Sequence, residues 1–268
     1  MHSNLDVSVR QILWTLNFAA QLVLLVVLLG RDRARRYPWF TAGAGLLALR
    51  LLAEELLATR IAPLFYQEIL LVLSDVAVVI GLLVLVELAR RAFAGAKSSM
   101  WIVNTIGMLL VAGGVIATLG GWPELKNLTW NSTLGKLQLM QLAALKGDML
   151  ISLLAVQLGL LVALFGRSFK AGWRSHTQQI LIGISTIAIT SVTMQIAVQS
   201  ILKSARAHPP SAGESHRIIG LIDKLASADR VIYIAVLLWW IYWLWLNEPG
   251  TPAAPTAEVE GKPEATAE

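Results

Sequence analysis

The sequence predicts an all-α fold: a polytopic membrane protein, a bundle of seven transmembrane helices with the N-terminus out and the C-terminus in. Three observations carry that prediction. Seven apolar stretches fill most of the 268 residues. The short, strongly basic loops all fall on one side of them, and tryptophan and tyrosine collect near their ends. Composition agrees, with 56% hydrophobic residues, 15% charged residues and a mean hydropathy of +0.64.

A hydrocarbon core about 30 Å thick is crossed by roughly 20 helical residues. The predicted spans are 9–29, 39–58, 68–90, 100–120, 142–166, 179–202 and 229–247. Helices are expected rather than a barrel, because each run far exceeds a barrel strand of about 10 residues and lacks period-2 alternation. A continuous helix also satisfies its own backbone in lipid.

The first span lacks a small-residue cleavage site and reads as a retained helix whose short tail crosses the membrane. It closes on Arg31-Asp32-Arg33-Ala34-Arg35-Arg36. The second opens with Ala42, Gly43, Ala44 and Gly45, and the fourth repeats Gly113, Ala117 and Gly121. Small residues let helices approach where lipid removes the hydrophobic drive. Ahead of the fifth span, 121–141 is expected to be a loop followed by an outward extension of that helix; its sequons at Asn127 and Asn131 matter only in a eukaryotic secretory pathway. Ahead of the seventh, a loop containing Pro209-Pro210 leads into an amphipathic run, Ile218, Ile219, Ile222 and Leu225, able to join the last span as one helix. Residues 1–248 form the transmembrane domain. Residues 249–268, rich in Pro, Ala, Thr and Glu, are expected to be a disordered cytoplasmic tail with no enzymatic domain after it.

Charge sets the expected orientation. Arg31, Arg33, Arg35, Arg36, Arg90, Arg91, Lys97, Arg167, Lys170 and Arg174 are ten of the 22 Lys and Arg residues, accompanied by one acid, Asp32. Such loops stay cytoplasmic. The last span ends in Trp239, Trp240, Tyr242, Trp243 and Trp245, which reads as an interfacial anchor or as a stacking surface for a pigment or quinone. The net charge of +5 and pI near 9.7 do not indicate nucleic acid, since the basic residues line the membrane without a recognisable binding module. Anionic lipid of the bilayer is the expected counter-charge.

Several chemistries are excluded. There is no cysteine, and so no thiolate nucleophile, disulfide, iron–sulfur cluster or Cys-based zinc site. His2, His176, His208 and His216 all lie outside the spans, which disfavours an intramembrane bis-histidine haem. HExxH, GxSxG and P-loop motifs are absent, and residues 231–247 lack the lysine a retinal Schiff base requires. The serines and threonines of the sixth span have no histidine at their depth and are expected to bond to carbonyls one turn away. No catalytic residue, metal site or cofactor is expected; the chain does not read as an enzyme.

Ionisable groups inside a span are costly and default to functional hypotheses with a named partner. Arg50 and Asp75 lie thirteen and twelve residues from the turn at Pro63, hence at equal depth, and are expected to face each other as a buried pair. Glu54 is four residues from Arg50 and able to share it. Lys146 and Asp148 on the fifth span, and Gln195 and Gln199 on the sixth, also fall in the outward half, as do Glu55 and Asp229. The inner half offers Glu87 near the interface. Two readings stay open: pairs that fix the bundle, or a polar cavity open to the outside.

The basic loop ending in Tyr37-Pro38-Trp39-Phe40 and the junction Leu164-Phe165-Gly166-Arg167-Ser168, followed by Trp173-Arg174-Ser175-His176, resemble an uncharacterised group of bacterial seven-helix integral membrane proteins. The resemblance implies the fold and a bacterial inner membrane, and supplies no site residues. The chain is more loosely similar to the seven-helix sensory modules of bacterial signalling proteins, which implies a receptor-like role with a separate cytoplasmic signalling partner. The alternatives are a small-solute transporter, or an accessory or structural subunit of a membrane complex. No inverted repeat or paired Gly/Pro interruption of the kind transporters carry is visible.

Overall fold

The structure, a computed structural model, describes residues 3–58, 60–93, 107–108, 110–116, 133–165, 175–207 and 212–247. Among these the chain is helical throughout, without a strand. Seven helices are numbered in chain order: α1 (Ser3–Gly30), α2 (Arg33–Arg36), α3 (Pro38–Leu57), α4 (Pro63–Ala92), α5 (Thr133–Phe165), α6 (His176–Ala207) and α7 (Ala212–Trp245). α2 is a single turn inside the first basic loop. Each other helix overlays one expected span. Of the fourth span, the described residues 107–108 and 110–116 are helical, and Ala112 is fully buried in the common core.

Local chemistry sets the boundaries. Asp32 takes the left-handed conformation, φ 55°, that reverses the chain after α1; a short polar side chain tolerates it better than most. Pro38 and Pro63 stand in the first turns of α3 and α4, where the missing N–H costs nothing and the fixed φ suits a helix. The amphipathic run before the last span does join it, so α7 is one helix of 34 residues. α5 likewise begins well ahead of its span, with 33 residues. At 1.5 Å per residue these helices are about 50 Å long, some 20 Å more than the hydrocarbon they would cross.

Among the described residues, five helices are long and apolar enough to cross a membrane, within α1, α4, α5, α6 and α7. α3 has only 20 residues and carries Arg50, Glu54 and Glu55. The outer faces are unusually apolar: Val26, Leu29, Leu110 and Leu164 are all more than 60% exposed. In water such a belt is an aggregation surface; in hydrocarbon it is the required coat.

The long helices form a closed ring. α1 packs on α3, α3 on α4, α4 on α5, α5 on α6, α6 on α7, and α7 returns to α1; α4 also touches α6 across the middle. Close approach is bought at glycines. The face of Gly147 on α5 meets Val78 of α4, Gly159 meets Ser185 of α6, and Gly183 of α6 lies against the indole of Trp240. A β-branched neighbour such as Val78 has few rotamers with which to yield. The small-residue runs expected to mediate contacts do less. Gly43 meets Ile80 and Val84 at ordinary distance, Gly45 and Gly113 face open space, and Ala117 and Gly121 fall outside the described residues.

Packing is uneven along the axis. The fully buried side chains, Leu24, Leu28, Leu88, Ile180, Leu237 and Leu244 among them, belong to the half of the bundle nearer the basic loops. That end is also cross-tied. Tyr37, wholly buried, bonds through its hydroxyl to Thr177 Oγ1 at 2.9 Å. Glu87 accepts the Phe40 N–H at 3.2 Å and pairs with Arg91 at 3.5 Å. Arg91 donates to the Arg36 carbonyl and covers the Tyr37 ring at 4.7 Å. His176 Nε2 lies 3.1 Å from the Leu246 carbonyl, and Arg31 stacks over Trp245 at 4.6 Å. The loop after α1, the end of α4, the start of α6 and the end of α7 are thereby clasped together.

Candidate functional site

Toward the opposite end a cavity of about 510 Å³ lies inside the ring, between the helices. All six long helices line it. α5 contributes one stripe, Gln141, Ala144, Asp148, Ser152 and Ala155, at the three- and four-residue spacing of a helix face. α4 contributes Leu71, Ser74, Val78, Gly81 and Leu85 in the same manner. The floor, toward the basic loops, is aromatic: Phe40 and Trp240 meet edge to face with ring centroids 5.0 Å apart. From Phe40 to Arg50, both on the wall, α3 advances about 15 Å. The cavity is therefore long, apolar in its depth and charged near its mouth.

Polar groups enter at two levels. Midway, Gln21 of α1 is 1% exposed; its amide donates to the Ala44 carbonyl of α3 at 2.8 Å and accepts from the Tyr233 hydroxyl of α7 at 3.3 Å. Three helices are tied by one side chain whose donor and acceptor are both used. Nearer the mouth, Asp148 accepts from Gln195 Nε2 at 3.1 Å and lies beside Ser191. Arg50 and Asp229 act on its carboxylate from other helices, the first attracting and the second repelling. Arg50 also borders a side cleft of about 310 Å³ between α1, α3 and α7, where its Nε donates to Glu54 Oε1 at 3.0 Å. Asn17, Asp229 and Arg230 line the same cleft. The Asn17 carbonyl oxygen is buried there with no hydrogen-bond partner among the described residues.

Of the residues singled out by sequence, Arg50, Glu54, Asp148 and Gln195 come together around the mouth and cleft. The expected Arg50–Asp75 pair does not form: Arg50 turns to Glu54, and Asp75 makes no ion pair among the described residues. Equal distance from Pro63 fixes depth but not rotation about the axis. The lining stripe of α4 passes through Leu71, Ser74 and Val78, so Asp75 is about 100° away from Ser74. Lys146 and Gln199 line neither cavity; Gln199 is exposed one turn beyond Gln195. Nor is the aromatic cluster of α7 purely interfacial. Trp239, Tyr242 and Trp245 are exposed, but Trp240 is 5% exposed and forms the floor.

Gln21 and Tyr233 went unseen in the sequence. One signal existed for Gln21, a lone amide in the otherwise apolar run from Phe18 to Leu29. Tyr233 gave none, being one aromatic among many on its helix.

Fold and site together define a class: an all-helical chain with several membrane-crossing helices around an internal cavity. No family model, no curated protein and no solved structure matches it.

Proposed function

We propose that the protein is a receptor-like sensory module of a bacterial inner membrane, which holds a small amphipathic ligand in its central cavity and signals to a separate cytoplasmic partner. The supporting observation is the cavity: about 510 Å³ of space, within the 300–1,000 Å³ usual for small-molecule sites, apolar in depth and with a few convergent polar groups at one level. Walls so apolar favour an organic occupant over water. Beneath the floor lies the clasp of basic loops. Phe40, part of that floor, is the residue whose N–H Glu87 holds, which gives a ligand a direct mechanical route to the cytoplasmic face. A transporter would need a second access route past that floor, and among the described residues that half is packed around the buried Leu24, Leu88, Ile180 and Leu237, which favours the sensory reading.

In this reading seven helices cross the bilayer, with the N-terminus outside and the C-terminus inside. A cysteine-free chain suits the check. In intact cells Ser175→Cys should react only with permeant thiol reagents and Gly213→Cys with impermeant ones as well; labelling of position 175 from outside would reverse the topology.

Occupancy is tested by mass. Protein purified in mild detergent and extracted with organic solvent should release a small molecule in near-stoichiometric amount, and the cavity-filling variant Ala77→Trp should release at least tenfold less. Equal recovery from both would remove the cavity as the binding site.

A further inference from the structure

Among the described residues, the walls of the cavity carry two charged side chains, Arg50 and Asp148, and their situations differ. Arg50 already donates to a carboxylate, Glu54. Asp148, exposed near the mouth, makes no ion pair within 4 Å among the described residues; it bonds to the neutral Gln195 and Ser191, and Arg50 attracts it only from further away. An ionised carboxylate at membrane depth is expensive unless a cation meets it. We propose that Asp148 receives the ammonium head of a lipophilic amine whose apolar body lies along the cavity toward Trp240. This deepens the reading of the cavity as a ligand site and rests on it.

The local charges favour a cation over an anion. Among the described residues, Arg50 and Arg230 stand around the mouth and its side cleft against Glu54, Asp148 and Asp229, two positive and three negative, a sum of −1. A monocation brings the group to neutrality. An anion drawn to Arg50 would add a fourth negative charge beside Glu54, Asp148 and Asp229. Lys146 does not fill the role: it stands two residues from Asp148, on another face of α5, and lines neither cavity. The body has a place as well. From Asp148 to Ala155, both on the wall, α5 advances about 10 Å, past Ile151 and Ile184 to the Phe40–Trp240 floor. Primary amines suit the head group, since a compact ammonium has three donors for Asp148 and the oxygens of Gln195 and Ser191.

Three probes of equal length separate the possibilities: octylammonium, octanoate and 1-octanol, added to the full chain in nanodiscs of zwitterionic lipid, with the thermal unfolding midpoint as readout. Octylammonium should give a saturable rise at a half-maximal concentration at least tenfold below either other probe. Asp148→Asn should erase that preference, and Asp148→Glu should keep the affinity within about threefold. The wild-type ranking alone suffices should the asparagine variant fail to fold. A preference for octanoate, or octylammonium shifts unchanged in Asp148→Asn, would overturn the amine assignment and leave the cavity as a site. If no probe gives a saturable shift that Ala77→Trp abolishes, the amine assignment and the binding reading both fall.

Discussion

Trp240→Ala is expected to destabilise the protein by about 3–5 kcal/mol, the usual cost of removing a buried tryptophan and leaving its space unfilled. The residue is 5% exposed, meets Phe40 edge to face at 5.0 Å and fills the space that Gly183 leaves open on α6. Its loss would merge the cavity floor with the packed half below, so the surroundings cannot easily collapse around the gap. Trp239→Ala, at a position 41% exposed one residue away, should cost less than about 1 kcal/mol. Reversible unfolding in mixed micelles measures both. Similar losses for the two would mean that Trp240 packs against lipid instead of against α3 and α6.

Arg91→Leu carries the second large effect. The Glu87 side chain is 6% exposed, and Arg91 supplies its only ion pair among the described residues. Stranding a buried carboxylate costs about 3–5 kcal/mol, and the lower end applies here because Arg91 is one-third exposed. Arg91 also holds the Arg36 carbonyl and covers Tyr37, so the basic loop should loosen along with the charge. Phe40 N–H is one of the first-turn donors that a helix cannot satisfy internally, and Glu87 accepts it. The double variant Arg91→Leu with Glu87→Gln keeps an acceptor for that N–H while removing the orphaned charge. It should recover at least half of the loss. Additive losses from the two single changes would show that the pair is not coupled.

Hydropathy located every long helix because lipid permits only a narrow range of lengths, and the spacing of Ile218, Ile222 and Leu225 revealed that the amphipathic segment continues into α7. Depth was legible too, since counting residues from a turn measures it directly. Azimuth was not. Arg50 and Asp148 face the interior and Asp75 does not, though all three are charges inside expected spans. Weak periodicity is the reason: a helix coated by lipid on one side and by leucine on the other shows little contrast between its faces. The same weakness hid the contact glycines. Gly147 and Gly159 follow Ala143 and Ala155 at the four-residue spacing common to many spans, and what gives these two and Gly183 a role is the neighbour across the gap, Val78, Ser185 or Trp240.

The closed ring also constrains the order of biogenesis. Gln21 sits on α1, and one of its partners, the Ala44 carbonyl, follows 23 residues later. The other, the Tyr233 hydroxyl, is 212 residues downstream, which at about 5–20 residues per second is some 10–40 s of translation. For that interval the face of α1 that α7 will cover lacks its protein neighbour, and in a bilayer that face meets acyl chains. In a bilayer α7 has to displace lipid from that face as it docks, and a chain halted before α7 would lack the Tyr233 partner of Gln21.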